Sequence, residues 1–225
     1  MRRRTSHSNQ TGFTLAELLV VIAIIGIMFA ITLPALTNIT GQTRLEAAAN
    51  ALHSAAKLAR QHAVSRTEPT YLLFHDEQTD PELAYRAYAV FAIDISSGAP
   101  TQADGYYVKD WETLPRGVVL DFESAPNDNL FNPNKGVGWN GALSEGGELR
   151  IGSQTYIVAG FAPKGHMSTS RYWTRRMLLC EGTIEQGALI KLSTAGKEIR
   201  IDLQGQSSII DTEYDEAGEL LDGGE

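Results

Sequence analysis

Between Gly12 and Leu36 the chain reads Gly-Phe-Thr-Leu-Ala-Glu-Leu-Leu-Val-Val-Ile-Ala-Ile-Ile-Gly-Ile-Met-Phe-Ala-Ile-Thr-Leu-Pro-Ala-Leu, and from Leu18 to Ile31 every residue is apolar or glycine. A membrane-spanning helix needs about 20 mostly apolar residues. Phe13 to Leu36 is read as that span, its ends softened by Thr14, Thr32 and Pro34. Glu17 breaks the pattern. A carboxylate within such a run costs about 3 kcal/mol at the bilayer centre unless a partner offsets it, so it marks a functional position.

The preceding residues are short, polar and basic, with Arg2, Arg3 and Arg4 at the start. A secretory signal is cut after its apolar core. Here the candidate site, Gly12-Phe13, lies before the core, and cutting there leaves the apolar helix on the mature chain. The stretch Gly12-Phe13-Thr14-Leu15-Ala16-Glu17-Leu18-Leu19-Val20-Val21-Ile22 resembles the N-terminal signature of type IV prepilins and type II secretion pseudopilins. The resemblance implies cleavage after Gly12 by a membrane aspartyl peptidase, N-methylation of the new terminal Phe13, and control of assembly by Glu17. It also implies partners: the prepilin peptidase/N-methyltransferase, other pseudopilins or pilins in a filament, an inner-membrane assembly platform and the lipid bilayer. Thr11 stands where the family often has Lys or Arg, a departure that bears on cleavage efficiency.

A chain of 225 residues has room for the helix and one further domain. Loss of residues 1–12 removes three arginines and moves the net charge from −8 to −11. That balance argues against a nucleic-acid partner, which calls for clustered Lys and Arg. The positive-inside rule puts Arg2 to Arg4 in the cytoplasm. The expected location is the inner membrane, single-pass, with a periplasmic C-terminal domain. Cys180 is the only cysteine, so no intrachain disulfide forms. Many major type IV pilins close a C-terminal loop with a cysteine pair, so the resemblance narrows to a pseudopilin or a minor pilin.

The helical pattern continues past Pro34, which lacks an N–H and is expected to kink it. Leu45, Ala48, Ala49, Leu52, Ala55, Ala56, Ala59 and Ala63 recur at three- and four-residue steps. Arg44, Glu46, Lys57, Arg60 and Gln61 fall off that face, an amphipathic period. One helix from Thr14 to Ser65 would be about 78 Å long at 1.5 Å per residue. The segment from Ala51-Leu52 through Ala59-Arg60-Gln61-His62-Ala63 to Glu68-Pro69-Thr70 resembles the helix end and first strand of H-type pseudopilins and FimT-like minor pilins.

Beyond Pro69 the period changes to two. Strands are predicted at Tyr71–Phe74, Tyr85–Ile95, Tyr106–Val108, Val118–Phe122, Glu148–Ile151, Thr155–Ala162, Arg176–Cys180, Ala188–Ser193, Glu198–Leu203 and Ser208–Asp211, with a long loop over 124–147. Trp111…Leu114-Pro115…Gly117-Val118 and Phe161-Ala-Pro-Lys-Gly165 also resemble H-type pseudopilin strands. The predicted organisation is a leader (1–12), a transmembrane or filament-core helix (13–36), an amphipathic helix half (37–66), a β-rich periplasmic domain (67–211) and an acidic disordered tail (212–225). The fold class is α+β, a long N-terminal helix packed on a C-terminal antiparallel sheet domain.

The sequence offers no reaction centre. His53, His62, His75 and His166 lack metal-ligand spacing, and His53 and His62 are expected to face solvent. Cys180, within Met177-Leu178-Leu179-Cys180, reads as a core residue. No Gly-x-Ser-x-Gly elbow or phosphate-cradling Gly-Lys-Ser/Thr loop is present. The glycine-rich Gly136–Gly141 stretch precedes no helix pattern and reads as loop. Asp76 to Glu82 packs four carboxylates into seven residues; it reads as a solvated turn, with calcium as the alternative. No cofactor is expected and no enzyme. The resulting reading is a structural minor pseudopilin of a type II secretion pseudopilus. The alternatives are a minor pilin of a type IV or DNA-uptake pilus and an uncut, membrane-anchored binding protein or enzyme.

Overall fold

The structure is a computed structural model that describes residues 15–75, 80, 82–93, 105–124, 130–131, 148–167 and 174–221. The chain divides into two compact units, Met1–Gly41 and Gln42–Glu225. Helix α1 (Leu15–Arg66) runs 52 residues and continues through Pro34 without a break. In its second half the eight residues at three- and four-residue spacing, from Leu45 to Ala63, are each at most 2% exposed. Six of these eight are alanines, and the space over the stripe is filled by large β side chains such as Leu72, Phe74, Tyr88 and Met177 rather than by the helix's own. The helix stops where Thr67 takes a left-handed φ of 59°. Pro69 follows, and its ring pushes Glu68 toward extended backbone.

The expected membrane-spanning half is overturned. Among the described residues no helix is long and apolar enough to cross a membrane. The expectation took in Thr14, Glu17, Thr32 and Pro34; the uninterrupted run Leu18–Ile31 holds only 14 residues, and runs of about 10–14 fall short of a span. The single-pass inner-membrane placement falls with it.

The strands form two antiparallel five-stranded sheets. Sheet A contains β1 (Thr70–Phe74), β2 (Ala87–Ile93), β3 (Gly105–Thr113), β5 (Glu148–Ile151) and β6 (Gln154–Phe161) in the order β3-β2-β1-β6-β5. Sheet B contains β4 (Val118–Leu120), β7 (Thr174–Glu185), β8 (Ala188–Asp202), β9 (Ser207–Tyr214) and β10 (Leu220–Leu221) in the order β10-β9-β8-β7-β4. Alternation sends Leu72, Phe74, Tyr88, Val90 and Ala159 of sheet A into the core that holds the alanine stripe. Leu120, Met177, Leu179, Ile199 and Ile201 of sheet B enter the same core. The alternate residues Tyr71, Leu73, Ala89, Phe91 and Val158 form a second cluster on the other face of sheet A. Central strands β1 and β2 are therefore buried at every position, which is why they read as continuous apolar runs.

Several boundaries differ from the sequence reading. The second strand begins at Ala87 and not at Tyr85, because Tyr85 sits at φ 54° and turns the chain. β3 is nine residues long; two irregularities in its register against β2 hide the alternation. The separate strands expected at 188–193 and 198–203 are one strand, β8. It joins β7 through Gln186 and Gly187, both at positive φ, the geometry of a two-residue type I′ hairpin. The tail expected to be disordered from 212 carries the end of β9, a turn and β10. There Asp215 Oδ1 accepts the Glu219 amide at 2.8 Å and closes the turn.

Candidate functional site

Glu17 lies in the first turn of α1, where the helix dipole favours a carboxylate, and its side chain is exposed. Gly12 and Phe13 lie outside the described residues. Around Glu17 the helix is apolar on every side: Leu15 is 81% exposed and Met28 64%, and Leu18 to Ile27 are exposed between them. This surface can do no chemistry. It can be buried by other apolar surface.

The end of α1 is tied to both sheets by polar contacts. Arg60 Nε donates to the carbonyls of Gly165 and Gln204, each at 3.0 Å. Gly165 and Gly205 sit at φ 81° and 76°, and a Cβ on Gly205 would lie 2.2 Å from the Gly165 oxygen, so the loops converge on Arg60 only as glycine. His62 is half-buried and not solvated as expected. Its Nδ1 lies 3.2 Å from Thr70 Oγ1 and its Nε2 3.2 Å from the Tyr106 hydroxyl. Tyr106 in turn donates to Glu68 Oε2 at 2.8 Å. His53 is also half-buried; burial, with Lys57 nearby, pulls its pKa down.

A buried ion pair lies on the face of sheet B away from the helix. Lys191 of β8 places Nζ 3.0 Å from Asp121 Oδ2, 2.9 Å from Ser124 Oγ and 2.6 Å from the Gly218 carbonyl. The same Nζ is 4.0 Å from the centre of the Tyr214 ring. Asp121 takes the Glu123 and Ser124 amides on Oδ1 at 3.0 and 2.9 Å and the Ser124 hydroxyl on Oδ2. Burial works to raise the Asp121 carboxyl, but the Ser124 and Lys191 hydrogen bonds outweigh it and hold its pKa below the ordinary value. Burial, then the Asp121 charge, pushes Tyr214 well up. Cys180 is fully buried beside this cluster, and burial with the Asp121 charge pushes its thiol up to about 12. A thiol so held is not a nucleophile. The ammonium is engaged by three acceptors and a ring face, so the cluster is a lock and not a reaction centre. Sequence reading missed it; Asp121-x-x-Ser124 directly after a short strand is the signal of an Asx turn that could have found half of it.

In the acidic stretch, Asp80 Oδ1 accepts the Glu82 amide at 2.9 Å and so caps a local turn. Residues 76–79 and 81 lie outside the described residues, as does Gly136–Gly141. Among the described residues no group of three or more His, Cys, Asp or Glu is placed to hold a metal ion.

Residues 7–33 match the prokaryotic N-terminal methylation motif. Residues 48–170 match the family of the type II transport protein GspH, and this match takes in more than half of the chain. The chain belongs to the GspH family. The family match spans the alanine stripe, the Pro69 stop, sheet A and the Gly117 and Gly165 turns, the region in which the sequence echoes were read. A crystal structure of the type IV minor pilin FimU from Pseudomonas aeruginosa (strain PAO1) is similar at 12% identity, over 75% of this chain and 90% of that one, with a TM-score of 0.40. No curated protein matches. This GspH-family chain is a pilin-like structural subunit with a prepilin-type N-terminal processing motif.

Proposed function

We propose that this chain is a minor pseudopilin of a type II secretion pseudopilus. It is cut between Gly12 and Phe13 by a prepilin peptidase, methylated on the new Phe13 amine, and built into a filament through α1. The observation that carries the reading is the methylation motif running into a helix whose Leu15–Met28 side chains are exposed all round. An exposed apolar surface of that extent calls for a partner, and related subunits offering the same helix are the partner the family supplies.

Glu17 gives the assembly its register. Cleavage leaves it four residues from a positively charged amine. In a bundle of helices the carboxylate of an incoming subunit meets the amine of the one already in place, and in a low-dielectric setting an unpaired charge costs several kcal/mol. Pro34 has no N–H for the helix ladder and marks where α1 bends on packing. The test is the mature N-terminus by mass spectrometry. The protein is expected to begin at a Phe13 carrying one extra methyl group. Gly12→Val is expected to stay full length, since a Cβ obstructs the extended backbone at the peptidase. Mature-length Gly12→Val protein would refute cleavage at this bond.

A further inference from the structure

The long hairpin of sheet B carries an interruption. Cys180 pairs with Gly196 and Gly182 with Lys191, so two steps along β7 correspond to five along β8. β9 joins β8 only from Ala195, opposite Glu213. Leu192, Ser193 and Thr194 therefore continue β8 with a cross-strand partner in neither register. Leu192 is 68% exposed and Ile190 40%. This stretch forms one wall of a groove of about 1020 Å³ whose other wall is the turn from β9 to β10, Asp215–Leu220. Six residues of extended chain span about 20 Å, the length of the wall Leu189–Thr194.

The groove has a sign. Glu123, Asp215, Glu216 and Glu219 line it against one cation, Lys191. The Lys191 ammonium is already engaged by Asp121, Ser124 and the Gly218 carbonyl. The groove also shows how it is used at one point: Glu123 Oε1 accepts the Leu189 amide at 2.9 Å, a carboxylate standing where a neighbouring strand's carbonyl would be.

We propose that the Leu189–Thr194 stretch of β8 is a docking edge for an extended segment of another protein in which Lys or Arg alternates with aliphatic residues. Main-chain hydrogen bonds to the edge of β8 that β9 leaves open before Ala195 hold it, aliphatic side chains lie against Ile190 and Leu192, and the cations meet the acidic rim. This is strand addition, in which the ladder gives affinity and alternate side chains give specificity.

The test uses the full-length protein and a fluorescein-labelled Lys-Val-Lys-Val-Lys-Val-Lys peptide, read by anisotropy. Saturable binding that weakens with rising salt is expected. The Glu-Val counterpart is expected not to bind. The Lys-Val peptide N-methylated at its valine amides is expected to lose about tenfold or more, because it cannot complete a ladder. Leu192→Ser and the pair Glu216→Gln, Glu219→Gln are expected to weaken binding severalfold, with circular dichroism unchanged. Equal binding of the N-methylated peptide would overturn strand addition, and equal binding of the acidic peptide would overturn the charge match. A Leu192→Ser protein that binds as the parent does would remove the groove as the site. Failure to bind, together with dimers in sedimentation that Leu192→Ser dissociates, would assign the edge to a second copy of the chain and overturn the proposal.

Discussion

The stretch Leu15–Met28 and the stretch Leu45–Ala63 belong to one helix and bury their side chains in opposite ways. The first carries Leu, Ile, Val and Met on all sides and leaves them exposed. The second confines its apolar residues to one stripe, mostly alanine, and buries that stripe completely. Bulk decides the difference. Alanines let two sheets close over the helix within one chain. Large residues all round require neighbours on every side, and one chain cannot supply them.

The comparison breaks most visibly under a buried charge. Ala59→Asp places a carboxylate in the core without a partner, and the several kcal/mol this costs is a large share of the roughly 5–15 kcal/mol a domain has. Loss of cooperative unfolding in a urea titration is the expected result. Ile25→Asp is expected to leave the unfolding of Gln42–Glu225 unchanged, because that side chain is exposed. If both variants unfold the β-rich unit, the two stretches are not energetically separate.

A cavity gives a finer measure. Leu52→Ala empties a fully buried site and is expected to lower stability by about 2–5 kcal/mol. Ile22→Ala, with half of its side chain exposed, is expected to shift the same midpoint by less than about 0.5 kcal/mol. Chemical denaturation at fixed protein concentration distinguishes the two.

The smallest effect is a pH dependence confined to the β-rich unit. The Asp121 carboxyl is held below its ordinary value in the folded state. Its contribution is therefore present above the unfolded value near pH 4 and is lost as pH falls through the folded one. A melting temperature that is level from neutral pH to about pH 5 and drops below about pH 4 is expected. Asp121→Asn is expected to cost about 1.5–3 kcal/mol at pH 7 and to make the acid limb shallower. An acid limb that keeps its slope in Asp121→Asn would mean that other carboxylates carry it.

What the sequence made legible was local. The stripe from Leu45 to Ala63, the stop at Pro69 and the strand Tyr71–Phe74 follow from periods that a short window contains. The long β7–β8 hairpin was obscured because its turn uses Gln186 where Asn or Asp would signal it. The polar contacts of the C-terminal unit were not legible. Arg60 falls off the helix stripe, yet it reaches carbonyls 105 and 144 residues away, and Lys191 meets Asp121 from 70 residues away. Residues so distant leave no pattern in a window. The expected membrane span failed for the opposite reason: a window wide enough to reach 20 residues admitted polar ones.

The two sheets share no ladder among the described residues, and this shapes how the subunit bears load. Tension drawn along α1 reaches sheet A and sheet B in parallel, through the alanine stripe and through Arg60, whose two hydrogen bonds end on one loop from each side. Force is spread as shear over a wide packed seam, a mode of loading that suits a building block held in a filament by its helix.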